Sequence, residues 1–248
     1  LGVDPVAKRP SHIFYLNVTA KLKRLGINMN KSNIMTACRE ELFTAVLSDS
    51  LDTLGSRQQV ATPGILPLKN GMRIAGFART GIYMPIYHDD EDVNVYEHEI
   101  RLIDSLEKDD VPILSCNANT QIAPWGELLS TRAQYLKAAG CIIDGCVRDA
   151  KTICEMGFPV FSRGTNPVDT KYRGKMMWMD VPAVVGGANV NSGDLVVADF
   201  DGIVFVPAHL IDDVIALSLA KVHEENTIRE ELKNGSSLRD IFAAHGIL

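Results

Sequence analysis

Aromatic residues are scarce in this chain, with two Trp, six Tyr and eight Phe among 248 residues. No run of Lys and Arg with interleaved aromatics is present, and the formal net charge is −6. That balance excludes a nucleic-acid binder whose affinity rests on a basic surface. No apolar run reaches the length needed to span a bilayer. The first residues show no signal-peptide pattern, so the expected location is cytoplasmic. The chain opens on Leu1 rather than Met, and a trimmed or processed start is expected. A Gly-rich phosphate loop, a Gly-x-Ser-x-Gly elbow and a His-Glu-x-x-His motif are all missing. The five cysteines are odd in number and sit mostly in apolar segments, so they read as reduced, buried thiols. Cys141 and Cys146 lack the spacing of a zinc site and have no nearby His to complete one. Cys146, two residues before Arg148, stays open as a nucleophile.

What is present is a large apolar fraction, 46%, enough for a substantial core in one large domain or one domain with appendages. Leu1 to Pro10 reads as an arm, and Ser11 to Leu25 permits a helix. Thr36 to Leu54 carries Leu42, Val46, Leu47, Leu51 and Leu54 at helical spacing and predicts a helix, with a break near Leu47-Ser48 and a stop at Gly55. Asp49 and Asp52 share one face of it, and as readily serve as solvated carboxylates as anything else. Asn70-Gly71 predicts a turn; Met72 to Ala78 and Ile82 to Ile86 read as extended. His88 to Asp92 is the most acidic run. Consecutive side chains point different ways, so a solvated loop is favoured over a metal site. A helix is predicted over Val95 to Leu106, a buried strand over Val111 to Cys116 and a short helix over Thr152 to Met156. A strand follows at Pro159 to Phe161, then a long loop over Ser162 to Asp180 whose Lys171, Arg173 and Lys175 are surface charges. A β-like stretch covers Val181 to Ala188, and a strand-turn-strand unit covers Leu195 to Val206, with Asp201 serving the turn. The last long helix runs from His209 to Asn234, capped by Gly235.

The segment that organises the rest is Ala123 to Phe161. Gly126 leads a helix over Glu127 to Ala139, a strand follows at Cys141 to Ile143, and Asp144-Gly145 predicts a turn. Arg148 and Asp149 come just after. This order brings a helix N-terminus and a strand end to one sheet edge, a usual place for ligands. Arg148 offers a fixed fork of donors, and Asp149 a hard oxygen for a metal such as Mg²⁺. The plain alternative is a turn glycine, a helix charge and a solvated ion pair.

Gly126-Glu127, twenty intervening residues and then Arg148-Asp149 resembles the signature of the RraA-like family, in which Gly-Asp is the usual first pair and Gly-Glu a variant. The resemblance extends from about Thr44 to Gly235 and takes in Ser48-Asp49-Ser50-Leu51-Asp52, Gly71 to Gly76, Asn189-Val190 with Gly193-Asp194, and Ala198 to Val204. The family includes the class II pyruvate aldolases acting on 4-hydroxy-4-methyl-2-oxoglutarate and 4-carboxy-4-hydroxy-2-oxoadipate. The resemblance implies an α/β fold, layered, with a central β-sandwich or barrel-like core flanked by helices, assembled as a homotrimer or as a hexamer, a dimer of trimers. The expected organisation is an N-terminal arm and helix over 1–35, a catalytic domain over 36–235 and a C-terminal tail over 236–248. It implies a small oxo-acid substrate, and Mg²⁺ or Mn²⁺ bound by Asp149. Glu127 and, from the neighbouring subunit, Glu225 would hold the metal through waters, with Glu224 as the fallback for Glu225. Arg148 and Glu127 would be catalytic, and the segment Gly126, Glu127, Leu128 and Leu129 would join Arg148 in binding substrate.

Independently of family, an aldolase that releases pyruvate must stabilise an enolate with a Schiff-base lysine or a divalent metal. No Lys of the organising segment lies in apolar surroundings, so the metal route is preferred; oxaloacetate decarboxylation would be a side activity. Two alternatives stay open. One is another metal-dependent oxo-acid lyase or decarboxylase. The other is a non-enzymatic protein like the family's namesake, which inhibits a ribonuclease.

Overall fold

Between Ile74 and Thr165 strand-forming runs alternate with amphipathic helical ones, a pattern that builds parallel strands joined by helical crossovers. The structure is a computed structural model and describes residues 30–88 and 92–246. The helix expected over Ser11 to Leu25 and most of the acidic run lie outside them. Phe43–Ile211 form one compact unit; the described residues on either side, 30–42 and 212–246, form another.

The first of these units holds α2 (Thr44–Thr53), β1 (Leu66–Pro67), β2 (Ile74–Pro85), α3 (Glu97–Asp104) and β3 (Asp110–Ser115). They are followed by α4 (Glu127–Tyr135), β4 (Cys141–Val147), α5 (Ala150–Met156), β5 (Val160–Thr165) and β6 (Gly174–Met179). The unit closes with β7 (Ala183–Val185), β8 (Ala188–Val190), β9 (Leu195–Ala198) and β10 (Ile203–Val206). The main sheet runs β1-β5-β4-β3-β2-β9-β10, with β2 to β5 parallel. The long β2 is shared: its first half pairs antiparallel with β9 and its second half with β6, which curls the sheet. β7 and β8 form a separate hairpin.

Alternation along the strands sends side chains to two cores. Val111, Ile113, Ile142 and Phe161 face one cluster, with Val185, Val190, Val196 and Phe205. Leu114, Cys141, Ile143 and Val160 face the other, with Leu102 and Ile103 of α3, Ala133 of α4 and Ile153 of α5. The mixed, layered α/β architecture with flanking helices is the one expected.

The unit outside 43–211 carries α1 (Lys31–Glu40), all of α6 (Ile211–Lys233) after its first residue, and α7 (Leu238–His245). Gly235 follows α6 at φ 96, the left-handed conformation glycine adopts without steric cost. The stretch expected as a tail carries α7, whose first turn is capped by the Ser237 hydroxyl accepting from the Asp240 amide at 3.1 Å.

Several expected elements differ. The helix expected over 36–54 with a break near Leu47-Ser48 is broken earlier: Phe43 is extended and a new helix, α2, starts at Thr44 and runs on through Leu47 and Ser48. Asp199, 155 residues away, accepts both the Thr44 amide and its hydroxyl, at 2.9 and 2.6 Å, and so caps α2 from the β9–β10 turn. Ile74–Pro85 is one strand where two, over Met72 to Ala78 and Ile82 to Ile86, were expected. The helix from Glu127 ends four residues early, with Lys137 left-handed at φ 64. Asp144-Gly145 is no turn: both lie inside β4, where Asp144 is buried, pairs with Arg163 and accepts the Ala118 amide at 3.2 Å. Gly145 is needed there for close approach, since a Cβ would sit 2.9 Å from the Cys116 sulfur. The loop expected over 162–180 contains the end of β5 and all of β6.

Candidate active site

The site is assembled at the C-terminal ends of the parallel strands, where open α/β sheets place ligands. The segment after β3 delivers Gly126 and Glu127, β4 delivers Arg148 and Asp149, and the segment after β5 delivers Asp169. Trp125 fixes the start of α4. It is fully buried and stacks on Phe158 with ring centroids 6.3 Å apart. Its indole N–H donates to the Ser130 hydroxyl at 2.8 Å, and that hydroxyl donates to the Gly126 carbonyl at 2.9 Å. The Arg148 amide donates to the Trp125 carbonyl at 2.9 Å, which ties the end of β4 to the start of α4.

Asp149 then adopts φ 57, ψ 27, the left-handed region that Asp and Asn tolerate better than most residues. Its Oδ2 accepts the Glu127 amide at 3.1 Å. Gly126 makes room for it: a Cβ there would lie 2.7 Å from that same oxygen and 3.2 Å from Arg148 Cγ. The amides of Leu128 and Leu129 belong to the first helical turn, which has no intrahelical acceptors for them. With the helix dipole they form a place for an anionic group. Glu127 Oε1 accepts the Thr131 hydroxyl at 2.8 Å, which holds that carboxylate beside its own helix. The Leu128 side chain is exposed and that of Leu129 packs on the core.

Arg148 lies between two carboxylates. Its Nε is 3.8 Å from Asp149 Oδ2, and its Nη1 is 3.4 Å from Asp169 Oδ2. Asp169 also accepts the Tyr96 hydroxyl at 3.0 Å and the Lys171 amide at 3.2 Å. Partial burial works against its charge, but the Lys171 amide, Tyr96 and Arg148 outweigh it and hold the carboxyl below its ordinary range. Partial burial and the hydrogen bond to Asp169 push the Tyr96 phenol up to about 12.

Beneath this group Glu99 of α3 is buried and accepts the Tyr83 hydroxyl at 2.5 Å. Burial pushes Glu99 up to about 7, with the Tyr83 bond and Arg148 opposing and Asp169 adding to the rise. Its folded pKa therefore exceeds the unfolded value near 4.5. The native state holds the extra proton between those values, so stability is lost as pH rises through about 7. Glu99→Gln is expected to flatten that loss, gaining about 1–3 kcal/mol above pH 8 and nothing below pH 5. Urea midpoints across pH 5 to 9 check it; a parallel offset between the two proteins at every pH would refute the assignment.

Gly126, Glu127, Arg148 and Asp149 are thus brought together as the spacing predicts. Glu225 lies on α6 in the other compact unit, 4.0 Å from Arg229. The Cys146 thiol is buried, which pushes its pKa up and keeps it protonated, so it is not an activated nucleophile. Asp201 serves the β9–β10 turn, donating its amide to Asp199 Oδ1 at 3.0 Å. Asp169, Tyr96 and Glu99 escape the sequence reading. Only Glu99 leaves a trace there, as a carboxylate three and four residues before the buried Leu102 and Ile103.

Among the described residues no three His, Cys, Asp or Glu side chains converge on one point, and no helix is long and apolar enough to cross a membrane. The donor set at Asp149 is a single half-exposed carboxylate. It fits a hard, largely hydrated ion such as Mg²⁺ or Mn²⁺, which takes one or two carboxylates and completes its shell with water and substrate.

A model of the RraA-like family, described as Aldolase/RraA, matches residues 44–205. Protein DlpA of Legionella pneumophila is 28% identical over 214 residues, covering 85% of this chain and 34% of DlpA, so the chain spans about a third of that relative. A Halalkalibacterium halodurans protein named "Putative 4-hydroxy-4-methyl-2-oxoglutarate aldolase" is 28% identical over 176 residues, 69% of this chain and 76% of that protein. Among solved structures, Streptomyces coelicolor RraAS2, described as an unusual member of the RNase ES inhibitor RraA protein family, superposes with a TM-score of 0.68 at 25% identity. It covers 90% of this chain and 98% of its own.

Proposed function

The chain belongs to the RraA-like family, and on that premise we propose that it is a divalent-metal-dependent aldolase that cleaves a 4-hydroxy-2-oxo acid of the 4-hydroxy-4-methyl-2-oxoglutarate type and releases pyruvate. The observation that carries the reading is the placement of Asp149. Its carboxylate is held on the Glu127 amide over a glycine that leaves it space, with Arg148 alongside. The aldolase name of the Halalkalibacterium halodurans relative points the same way.

In this mechanism the amides of the first turn of α4 hold the carboxylate of the pyruvyl part. Arg148 donates to the 2-oxo oxygen and stabilises the negative charge that grows there as the C3–C4 bond breaks. Asp149 would hold Mg²⁺ or Mn²⁺, with Glu127 and a neighbouring subunit's copy of Glu225 supporting its waters in a homotrimer or a dimer of trimers. When bound, such an ion supplies Lewis-acid stabilisation of the enolate and lowers the pKa of coordinated water. The substrate hydroxyl gives its proton to water or hydroxide in the site as its bond to C4 becomes a carbonyl, and the enolate takes a proton from water at C3 to give pyruvate. Oxaloacetate would lose CO₂ through the same enolate.

The test is pyruvate release from 4-hydroxy-4-methyl-2-oxoglutarate and from oxaloacetate, with Mg²⁺ and then with excess chelator. Release from the first, abolished by chelator and restored by metal, is the expected result. Release from oxaloacetate alone would replace the aldolase by a decarboxylase using the same groups. Release from neither, in a folded protein, would overturn the enzymatic reading and favour a binding role like that described for the RraA inhibitors.

A further inference from the structure

Arg148 has a second carboxylate, Asp169, for which the signature pair provides no role. Asp169 belongs to the segment between β5 and β6, which is firmly built. The Thr170 hydroxyl donates to the Ala123 carbonyl at 3.2 Å, pinning this segment to the stretch that leads into Gly126. The Lys171 amide donates to Asp169 Oδ1, and Arg173 donates to the Asp169 carbonyl at 3.3 Å. Asp169 Oδ2 is left to be shared by two groups, the Tyr96 hydroxyl at 3.0 Å and Arg148 Nη1 at 3.4 Å. Tyr96 stands at the start of α3 with its own amide donating to Asn94 Oδ1 at 3.0 Å. Both partners of Arg148, at 3.4 and 3.8 Å, lie beyond full hydrogen-bonding distance. The guanidinium is therefore aimed by opposed charges while its donors stay available to a ligand.

We infer that Tyr96 and Asp169 are positioning residues for Arg148: Asp169, held by the Tyr96 hydroxyl and the Lys171 amide, anchors one end of the guanidinium so that its remaining donors meet the substrate carbonyl. This rests on the reading of Arg148 given above. Neither residue touches the reacting atoms; each acts through Arg148. A purely structural role, in which Tyr96 and Asp169 only tie α3 to the segment after β5, makes different predictions, because Arg148 would then be indifferent to them.

The test combines Asp169→Asn, Tyr96→Phe, Arg148→Ala and the Asp169→Asn/Arg148→Ala double variant in the full chain. Two readouts are taken. The first is side-chain ¹⁵N relaxation of Arg148 Nε–H, which needs no turnover. Its order parameter should fall in Asp169→Asn and, to a smaller extent, in Tyr96→Phe. The second is kcat for pyruvate release, which Asp169→Asn should reduce about 10- to 100-fold, the scale of a misplaced catalytic group. In the Arg148→Ala background Asp169→Asn should cost nothing more, because residues acting through one another are non-additive. An unchanged Arg148 order parameter in both single variants would overturn the inference, as would full additivity of the two kcat losses. If no pyruvate is released by the unaltered protein, the proposed activity fails while the relaxation result still decides whether Asp169 and Tyr96 order Arg148.

Discussion

Asp149→Asn is expected to reduce metal-dependent pyruvate release by about a thousandfold or more, a loss of about 4 kcal/mol in the barrier, while leaving the protein folded. The substitution isolates charge from shape. Asparagine tolerates the left-handed backbone that residue 149 adopts at φ 57, and its side-chain carbonyl can still accept the Glu127 amide. What it removes is the anionic hard oxygen that a divalent ion needs. Alanine at this position would confound the result, because it adds backbone strain of about 1 kcal/mol to the loss of the ligand. Metal affinity should fall with turnover, and titrating Mg²⁺ against initial rate measures it. A variant that reached normal kcat at saturating metal would show Asp149 to be replaceable as a ligand; normal rates in chelator would remove the metal from the chemistry altogether.

The parts of this site that the sequence made legible are those whose chemistry is local. Gly126-Glu127 and Arg148-Asp149 each sit where a loop meets a helix or a strand, and alternation of strand and helix patterns brings both to one edge. Local chemistry also misleads. Asp144-Gly145 has turn composition, yet Asp144 is drawn into β4 by Arg163, nineteen residues later, and Gly145 is required by the approach of Cys116 from β3's end. The place of the break before α2 depends on Asp199, far along the chain, and the pattern within 36–54 puts it too late, near Leu47-Ser48. Asp169 is invisible for the same reason: in sequence it is one acid in a Pro- and Lys-containing stretch, and only pairing of β5 and β6 into the sheet carries it to Arg148. Tyr96 and Glu99 lie in a segment whose amphipathic pattern predicts a helix and nothing about its neighbours. Glu99 breaks that pattern, since a carboxylate on the apolar face must be paired or neutral. It is held by Tyr83, 16 residues upstream on β2.

Arg148→Ala is expected to lower kcat about 100- to 1,000-fold, the scale of losing one donor to a developing oxyanion, with little change in stability. The fold should survive because the backbone amide of residue 148, not its side chain, ties β4 to Trp125. The guanidinium is more than a third exposed and makes ion pairs longer than 3.3 Å. Such pairs contribute less than about 1 kcal/mol. Asp169 loses one of the groups that depress its pKa but keeps the Tyr96 hydroxyl and the Lys171 amide. Its carboxyl should therefore rise toward the ordinary value. Stability drawn from a depressed carboxyl is present above its unfolded pKa and lost as pH falls through the folded one. The variant should therefore be slightly less stable than the parent at neutral pH, by less than about 1 kcal/mol, and the two should converge as the solution is acidified. Arg148→Lys separates charge from geometry. Lysine restores the positive charge at one point but not the planar fork that can face Asp169 and a substrate oxygen together. Recovery of most of the lost kcat by lysine would mean that Arg148 contributes a field. Recovery of little would mean that it contributes aimed donors, which is what two flanking carboxylates, neither close enough to capture the guanidinium, are arranged to preserve.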